Sequence, residues 1–378
     1  MSRPRRQFLK TAVLAALGAG LHGRRALALP PASNDLGPPN ALGVALPDGY
    51  RARLLGATGQ FVGDTLFRWH VAPDGGGTVR TDDGGWIYVS NSESNGNDGG
   101  ASAIRFAPDG RIVDAHRIAD GLKWACAGGM TPWGTWLACE EYRGGYVWEC
   151  DPAGDQPPVV RPALGRFSHE AAVVDPSSGF VYLTEDDDEL SRLYCFRPTG
   201  QDLSAGLLTA ASVDAATGRV TWVPVAADRP YRGKDTSPFA RPEGAIFDNG
   251  SRTLFFTTTS DHRVWALNVM TSRLVVIYDG VVAGGPLFEP DNITQHPIGG
   301  DLFVAEDNDN LELVRFHQTG ADVWTPSVFM RLVGHDSSEV TGPALSPDGT
   351  RLYVSSQRGV DGKNGMTFEI ARINGSLI

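Results

Sequence analysis

Cysteine is scarce: four residues (Cys126, Cys139, Cys150 and Cys195) in a chain of 378, too few for a disulfide scaffold. Cys139 and Cys150 flank a Gly144-Gly145 turn, which leaves a single cross-hairpin disulfide open. Histidine is sparse too, with eight residues and no H-x-x-x-H or H-E-x-x-H pair, so the common zinc-hydrolase constellations are excluded. No G-x-S-x-G elbow, Walker loop or Rossmann fingerprint stands in a usable context. Basic residues number 33 against 44 acidic ones, a net charge of −11. That balance argues against nucleic acid or an anionic membrane surface as a partner and favours a chain that collects cations. Beyond the first 28 residues no apolar run approaches the ~18 residues of a membrane span.

Glycine and proline are plentiful, at 46 and 25 residues, and 41% hydrophobic content is enough to bury a core. Residues 1–28 read as an export signal. Arg3, Arg5 and Arg6 form a basic start, Arg5-Arg6-Gln7-Phe8-Leu9-Lys10 resembles a twin-arginine pattern, and Ala26-Leu27-Ala28 follows an apolar run as a cleavage site. Removing this segment takes away six basic residues and no acids, leaving 27 against 44 and a net charge of −17. The expected partner in transit is the twin-arginine export machinery, and the expected destination is the periplasm or the medium. Residues 29–49, rich in proline, form a mobile or loosely docked lead-in, and residues 50–378 a single domain.

That domain is a repeat. A small turn precedes an alternating strand ending in polar or acidic residues, as in Trp86-Ile87-Tyr88-Val89-Ser90-Asn91-Ser92-Glu93. The pattern returns at Thr135–Glu141, Phe180–Asp186, Thr253–Thr259, Asp301–Asp307 and Arg351–Gln357. Aligning Glu93, Glu141, Glu185, Thr258, Glu306 and Ser356 gives spacings of 48, 44, 73, 48 and 50. Period-two strands at this spacing predict an all-β, six-bladed β-propeller around a central channel, with one extra segment before Thr258. A strand near Tyr50–Leu55 is expected to complete the last blade.

Fifteen residues before five of these positions stand Cys126, Glu170, Glu243, Asp291 and Thr341. A ring of Cys126, Glu170, Glu243 and Asp291, backed by Glu93, Glu141, Glu185 and Glu306, would place acids and a thiol in one cavity. Unpaired, such a cluster repels itself, and bound cations remove the problem. Carboxylates suit Ca²⁺, and a thiolate among oxygens suits iron or zinc. Each residue also has a plain structural alternative. A strand-end acid is commonly solvated, a lone Cys126 fits a core, and Arg241 ahead of Pro242-Glu243 can be a surface ion pair. Asp186-Asp187-Asp188 is either an outer ligand set or a solvated turn, and His169 either assists the site or makes a structural hydrogen bond.

The run Cys126-Ala127-Gly128-Gly129-Met130-Thr131-Pro132-Trp133-Gly134-Thr135-Trp136-Leu137-Ala138-Cys139-Glu140-Glu141 closely resembles a signature of PhoX-type alkaline phosphatases. Gly165–Glu170, Arg241-Pro242-Glu243-Gly244, and Asp291-Asn292 followed by Ala305-Glu306-Asp307 resemble further blocks of that family. The chain is shorter than well-known members, which carry long insertions between blades, and it has Met130 where the family often has proline. The resemblance implies an oxo-bridged ferric pair, Fe³⁺, and several Ca²⁺ ions at the channel mouth. It makes Cys126 an iron ligand and puts Glu170 and Glu243 in the iron–calcium cluster. Glu141 and Glu306 become calcium ligands and Arg241 a phosphate contact.

The candidate catalytic residues are therefore Arg241, Glu243 and Cys126. The candidate metal ligands are Cys126, Glu141, Glu170, Glu243, Asp291, Glu306, Glu93 and Glu185. The expected activity is hydrolysis of small phosphate monoesters by a monomer. A calcium-dependent lactonase or esterase, and a non-catalytic propeller that binds a partner, are the alternatives.

Overall fold

The computed structural model describes residues 35–187, 190–200, 202–307 and 310–378. The expected export signal and Asp188 of the acidic loop lie outside them. Six antiparallel sheets follow one another in chain order. The innermost strands are Pro73–Arg80, Ala125–Met130, His169–Val174, Pro242–Asp248, Pro290–Gln295 and Val340–Leu345. Each touches the next, and the last returns to the first, so the sheets are blades of a closed six-bladed propeller. Among the described residues the helical structure is limited to two 3-10 turns and the helix Gly280–Ala283, and no helix is long and apolar enough to cross a membrane.

The second strand of each blade is apolar at its centre because both of its faces are buried. In Leu302–Glu306, Leu302 and Val304 pack toward the fourth blade, while Phe303 and Ala305 pack toward the sixth. In Trp136–Glu140, Trp136 and Ala138 meet the first blade, Leu137 and Cys139 the third. Alternation of side chains along an extended strand sends each set to a different interface. Six hydrophobic clusters result, one between each pair of neighbouring blades.

The ring is closed from the N-terminal side. Tyr50–Ala57 pairs antiparallel with Met366–Arg372 as the outer strand of the sixth blade. Arg53 fixes this pairing through a fork on Glu369, with bonds of 2.8 and 2.9 Å. The expected lead-in also contributes. Val44 and Ala45, both buried, pair with Leu332 and Arg331 as a fifth strand of the fifth blade. Their apolar side chains continue the core beyond Pro47, so this part of the lead-in is built into the domain. The extra length before Thr258 is an additional strand of the third blade, Val220–Pro224, and the loop 225–241.

The disulfide left open by the sequence does not form. Cys139 lies opposite Val147 and Cys150 opposite Trp136, so the two cysteines sit three rungs apart on their hairpin. At roughly 3.3 Å per residue that separation exceeds the reach of a disulfide. All four cysteines are free and buried.

Candidate metal centre

One device recurs in all six blades at the same end of the channel. The innermost strand enters its ladder, slips register, and resumes pairing three residues later. The slips fall between Pro73/Gly76, Ala125/Gly128, His169/Ala172, Pro242/Ala245, Pro290/Ile293 and Thr341/Ala344. A bulge re-aims the side chain it carries. The residues set at these bulges are Asp74, Cys126, Glu170, Glu243, Asp291 and Thr341. A second six-fold feature is a backbone bond made just past the end of the next strand. The N–H groups of Glu93, Glu141, Asp186, Thr259, Asp307 and Gln357 donate to the carbonyls of Ala72, Trp124, Ser168, Arg241, Glu289 and Glu339. These two sets are the inner and outer rings of the mouth.

The inner strands approach one another closely enough to require small residues. A Cβ on Gly75 would lie 2.4 Å from Ala127 Cα, and one on Gly342, whose φ is +58°, would lie 2.3 Å from the Asp74 carbonyl. The tight ring brings the acids together in three groups, each with ligand atoms within 4.8 Å of one another. They are Cys126–Glu141–Glu170, Glu170–Glu243–Asp291 and Asp74–Glu93–Glu339. Neutral side chains tie the groups together. Gln357 Nε2 donates to Asp74 Oδ2 and Glu93 Oε2, both at 2.6 Å. Thr259 Oγ1 donates to Glu243 Oε1 at 3.0 Å, and Asn292 Nδ2 to Asp291 Oδ1 at 2.9 Å.

Of the residues proposed from the sequence, Cys126, Glu93, Glu141, Glu170, Glu243 and Asp291 stand in these groups. Glu185 and Glu306 do not. Glu185 is buried in a fork with Arg232 and also accepts from Tyr194 Oη and Arg192 N. The two carboxylate oxygens of Glu306 accept the N–H groups of Phe288 and Glu312. The reason is parity: successive side chains on a strand point to opposite sides, so an alignment one residue off selects the wrong partner. Their successors Asp186 and Asp307 hold the outer-ring positions. Asp186 receives Arg241, and Asp307 hydrogen-bonds Glu339. Asp187 pairs instead with Arg143 and Arg232.

Asp74, Asp307 and Glu339 were not among the sequence candidates. The first blade has a longer inner hairpin, which broke the offset count, yet Pro73-Asp74-Gly75 parallels Pro242-Glu243-Gly244 and Pro290-Asp291-Asn292. His169 has a structural role. It is buried and stacks on Phe167 at 3.7 Å, its Nε2 lies 3.1 Å from the Gly165 carbonyl, and burial lowers its pKa to about 3.

Desolvation dominates the electrostatics. Burial pushes Asp74 up to about 6, Glu93 to about 8 and Glu339 to about 10, neighbouring carboxyls adding to the last two. Glu141, Glu170, Glu243 and Asp291 are held well above the usual carboxylate range by burial and then by neighbouring carboxylates, for Glu243 chiefly Asp186. Burial, then Asp74 and Glu170, raises the Cys126 thiol as well. Arg358 Nη2 lies 2.9 Å from Glu339 Oε1, and the second arginine at the cluster is Arg241. Its guanidinium forks onto Asp186 at 2.9 and 2.6 Å, reaches Glu243 Oε1 at 3.2 Å, and stays 37% exposed. The hydrogen bonds it donates to Asp186 keep it charged.

Buried carboxyl groups this close are stable only when protonated or when they share cations. Glu170 Oε2 has no hydrogen-bond partner despite full burial, as a ligand oxygen would. The donor sets fit cations of two kinds, a thiol with carboxylates for a transition metal and carboxylates alone for a hard ion.

The molecule is thus a six-bladed propeller with a ring of clustered acidic side chains at one mouth of its channel. The family described as alkaline phosphatase PhoX matches residues 142–276, a stretch that carries Glu170, Arg241 and Glu243. The fold agrees. PhoX from Pseudomonas fluorescens, in complex with vanadate, a transition-state analogue, superposes with a TM-score of 0.73 at 16% identity, over 91% of this chain and 98% of that one. The resemblance to PhoX-type phosphatases is therefore borne out. A gluconolactonase from Xanthomonas campestris shares the fold more loosely, with TM-score 0.52, 13% identity and 89% and 97% coverage. A protein of unknown function from Bacteroides thetaiotaomicron gives 0.54, 9%, 88% and 84%. No curated protein sequence matches the chain.

Proposed function

We propose that the chain is an exported phosphatase that hydrolyses phosphate monoesters at an iron–calcium cluster. The observation that carries this is the thiol–carboxylate group Cys126–Glu141–Glu170 sharing Glu170 with an all-carboxylate group, beneath an arginine that remains open to solvent. The PhoX match over 142–276 supports the same reaction class. Iron held by Cys126, Glu170 and Glu243 and calcium held by the other carboxylates would supply positive charge that offsets the charge developing on the phosphate oxygens.

The protein's own part is placement. Arg241 turns its Nε–Nη2 fork onto Asp186, which fixes its orientation, and leaves Nη1 to meet a non-bridging oxygen. Thr259, Asn292 and Gln357 hold carboxylate rotamers without adding charge. The buried ring walls keep water from screening these interactions. Export through the twin-arginine route delivers a folded, loaded protein, in keeping with the signal pattern at Arg5-Arg6.

The test is hydrolysis of a chromogenic phosphate monoester by protein purified after native export. EDTA should abolish turnover and calcium should restore it, with iron detected by elemental analysis. A Cys126→Ala variant that keeps both activity and iron would remove that residue from the assignment. The shared fold with a gluconolactonase gives a second reading as a lactonase, which requires calcium alone. The buried thiol among the ligands favours the first, and lactone turnover without iron would favour the second.

A further inference from the structure

A second cavity lies away from the acidic mouth, at the seam where the last blade meets the first. It has a volume of about 490 Å³ and is lined by Arg51, Arg53, Arg111, Arg351, Asp64 and Glu369, among others, a size suited to a small molecule. The arginines come from separate segments. Arg51 and Arg53 lie on the ring-closing strand, Arg351 on the second strand of the sixth blade, and Arg111 just after the Asp109-Gly110 turn of the first. Two of them are fixed in place. Arg53 forks onto Glu369 and its Nη2 bonds the Gly110 carbonyl at 2.9 Å. Arg351 Nη2 bonds the Asp109 carbonyl at 3.1 Å.

The other two are not. Arg51 and Arg111 are exposed, and their guanidinium groups form no hydrogen bond or ion pair with any described residue. Arg351 Nε is buried without a hydrogen-bond partner, with Glu369 Oε2 3.5 Å from it. On a chain of net charge −11, four guanidinium groups line this cleft beside three carboxylates, Asp64, Asp109 and Glu369, and Arg51 and Arg111 pair with none of them, a local reversal of sign. Guanidinium forks suit oxyanions with several equivalent oxygens, and the cavity leaves room for a group attached to the anion.

We propose that this cleft binds a small phosphate-class oxyanion, either inorganic phosphate or the phosphoryl end of a small ester, held between Arg51 and Arg351 of the last blade and Arg111 of the first. Because it spans the seam, its ligand also fastens the two blades whose contact closes the ring. The site stands independently of the proposed phosphatase activity.

Equilibrium dialysis of the metal-loaded protein with labelled inorganic phosphate, and separately with benzylphosphonate, tests it. Two equivalents of phosphate should bind to the unaltered protein. Arg51→Gln/Arg111→Gln should bind one, with the lost site weakened at least tenfold and ester hydrolysis unchanged. Arg241→Ala should lose the other. Benzylphosphonate binding that depends on Arg51 and Arg111 assigns the site to esters, and binding of phosphate alone assigns it to the free anion. Retention of both equivalents in the double variant overturns the proposal, as does equal displacement by acetate at the same concentration. If ester hydrolysis is absent but the Arg51- and Arg111-dependent equivalent remains, only the phosphatase reading fails.

Discussion

Arg241 illustrates how much a single side chain depends on its neighbour. It sits with φ of +54°, a left-handed backbone conformation uncommon outside glycine, and its fork is occupied by Asp186. Replacing it by alanine should lower kcat/KM by about 10²–10³-fold, the usual size for a lost charge-stabilising donor. Arg241→Lys should recover only a small part, since one ammonium cannot replace two parallel donors. Asp186→Asn leaves the arginine in place but loosens it, so KM should rise more than kcat falls. Steady-state kinetics with the chromogenic ester separates these outcomes, and equal effects of Arg241→Lys and Asp186→Asn would refute the positioning role. The resemblance around Arg241-Pro242-Glu243 made this residue visible in the sequence. Asp186 was visible only as part of an acidic run, because nothing in a run of like residues says which one turns inward.

At the level of strands, alternation of apolar residues made each blade readable, and the bulges hid the site. A bulge changes side-chain direction without changing composition, so an offset count that fitted Cys126 with Glu141 drifted by one at Glu185 and Glu306. The first blade escaped altogether because its inner hairpin is longer, although the proline-acid-small triplet at Pro73-Asp74-Gly75 carries the signal. The narrowness of the ring is likewise a property of strands in contact. Gly342→Val should cost on the order of 3 kcal/mol, from left-handed strain and from collision with the Asp74 carbonyl. Gly334→Val, with φ of +80° but open space around it, should cost only about 1 kcal/mol, for strain alone. Urea denaturation of the two variants measures the difference, and equal losses would show that ring packing contributes nothing.

For the whole molecule the consequence of the ring is a stability that depends on pH and metal together. In the metal-free protein the folded state holds protons on Asp74, Glu93 and Glu339 at pH values where the unfolded chain has released them. Stability therefore falls as pH rises from about 4, the unfolded carboxyl value, through about 6, 8 and 10 in turn. Cations bound there would take the place of those protons. Thermal melts of EDTA-treated protein should show Tm falling between pH 5 and pH 9, while metal-loaded protein stays nearly level across that range. A parallel decline in both would mean that the acids are not shared by cations. Composition had indicated an excess of acids, but only the closed ring shows how they are concentrated at one mouth.

The strand Tyr50–Ala57 carries an implication for the order of events in the cell. Arg53 and its partner Glu369 are separated by 316 residues, so the ring-closing strand leaves the ribosome early and its mate very late. Early blades can form as they emerge, but the seam stays open until synthesis is almost finished. Contacts of such long range are slow to form. The step that closes the seam thus comes last, and the export proposed from residues 1–28 would have to wait for it.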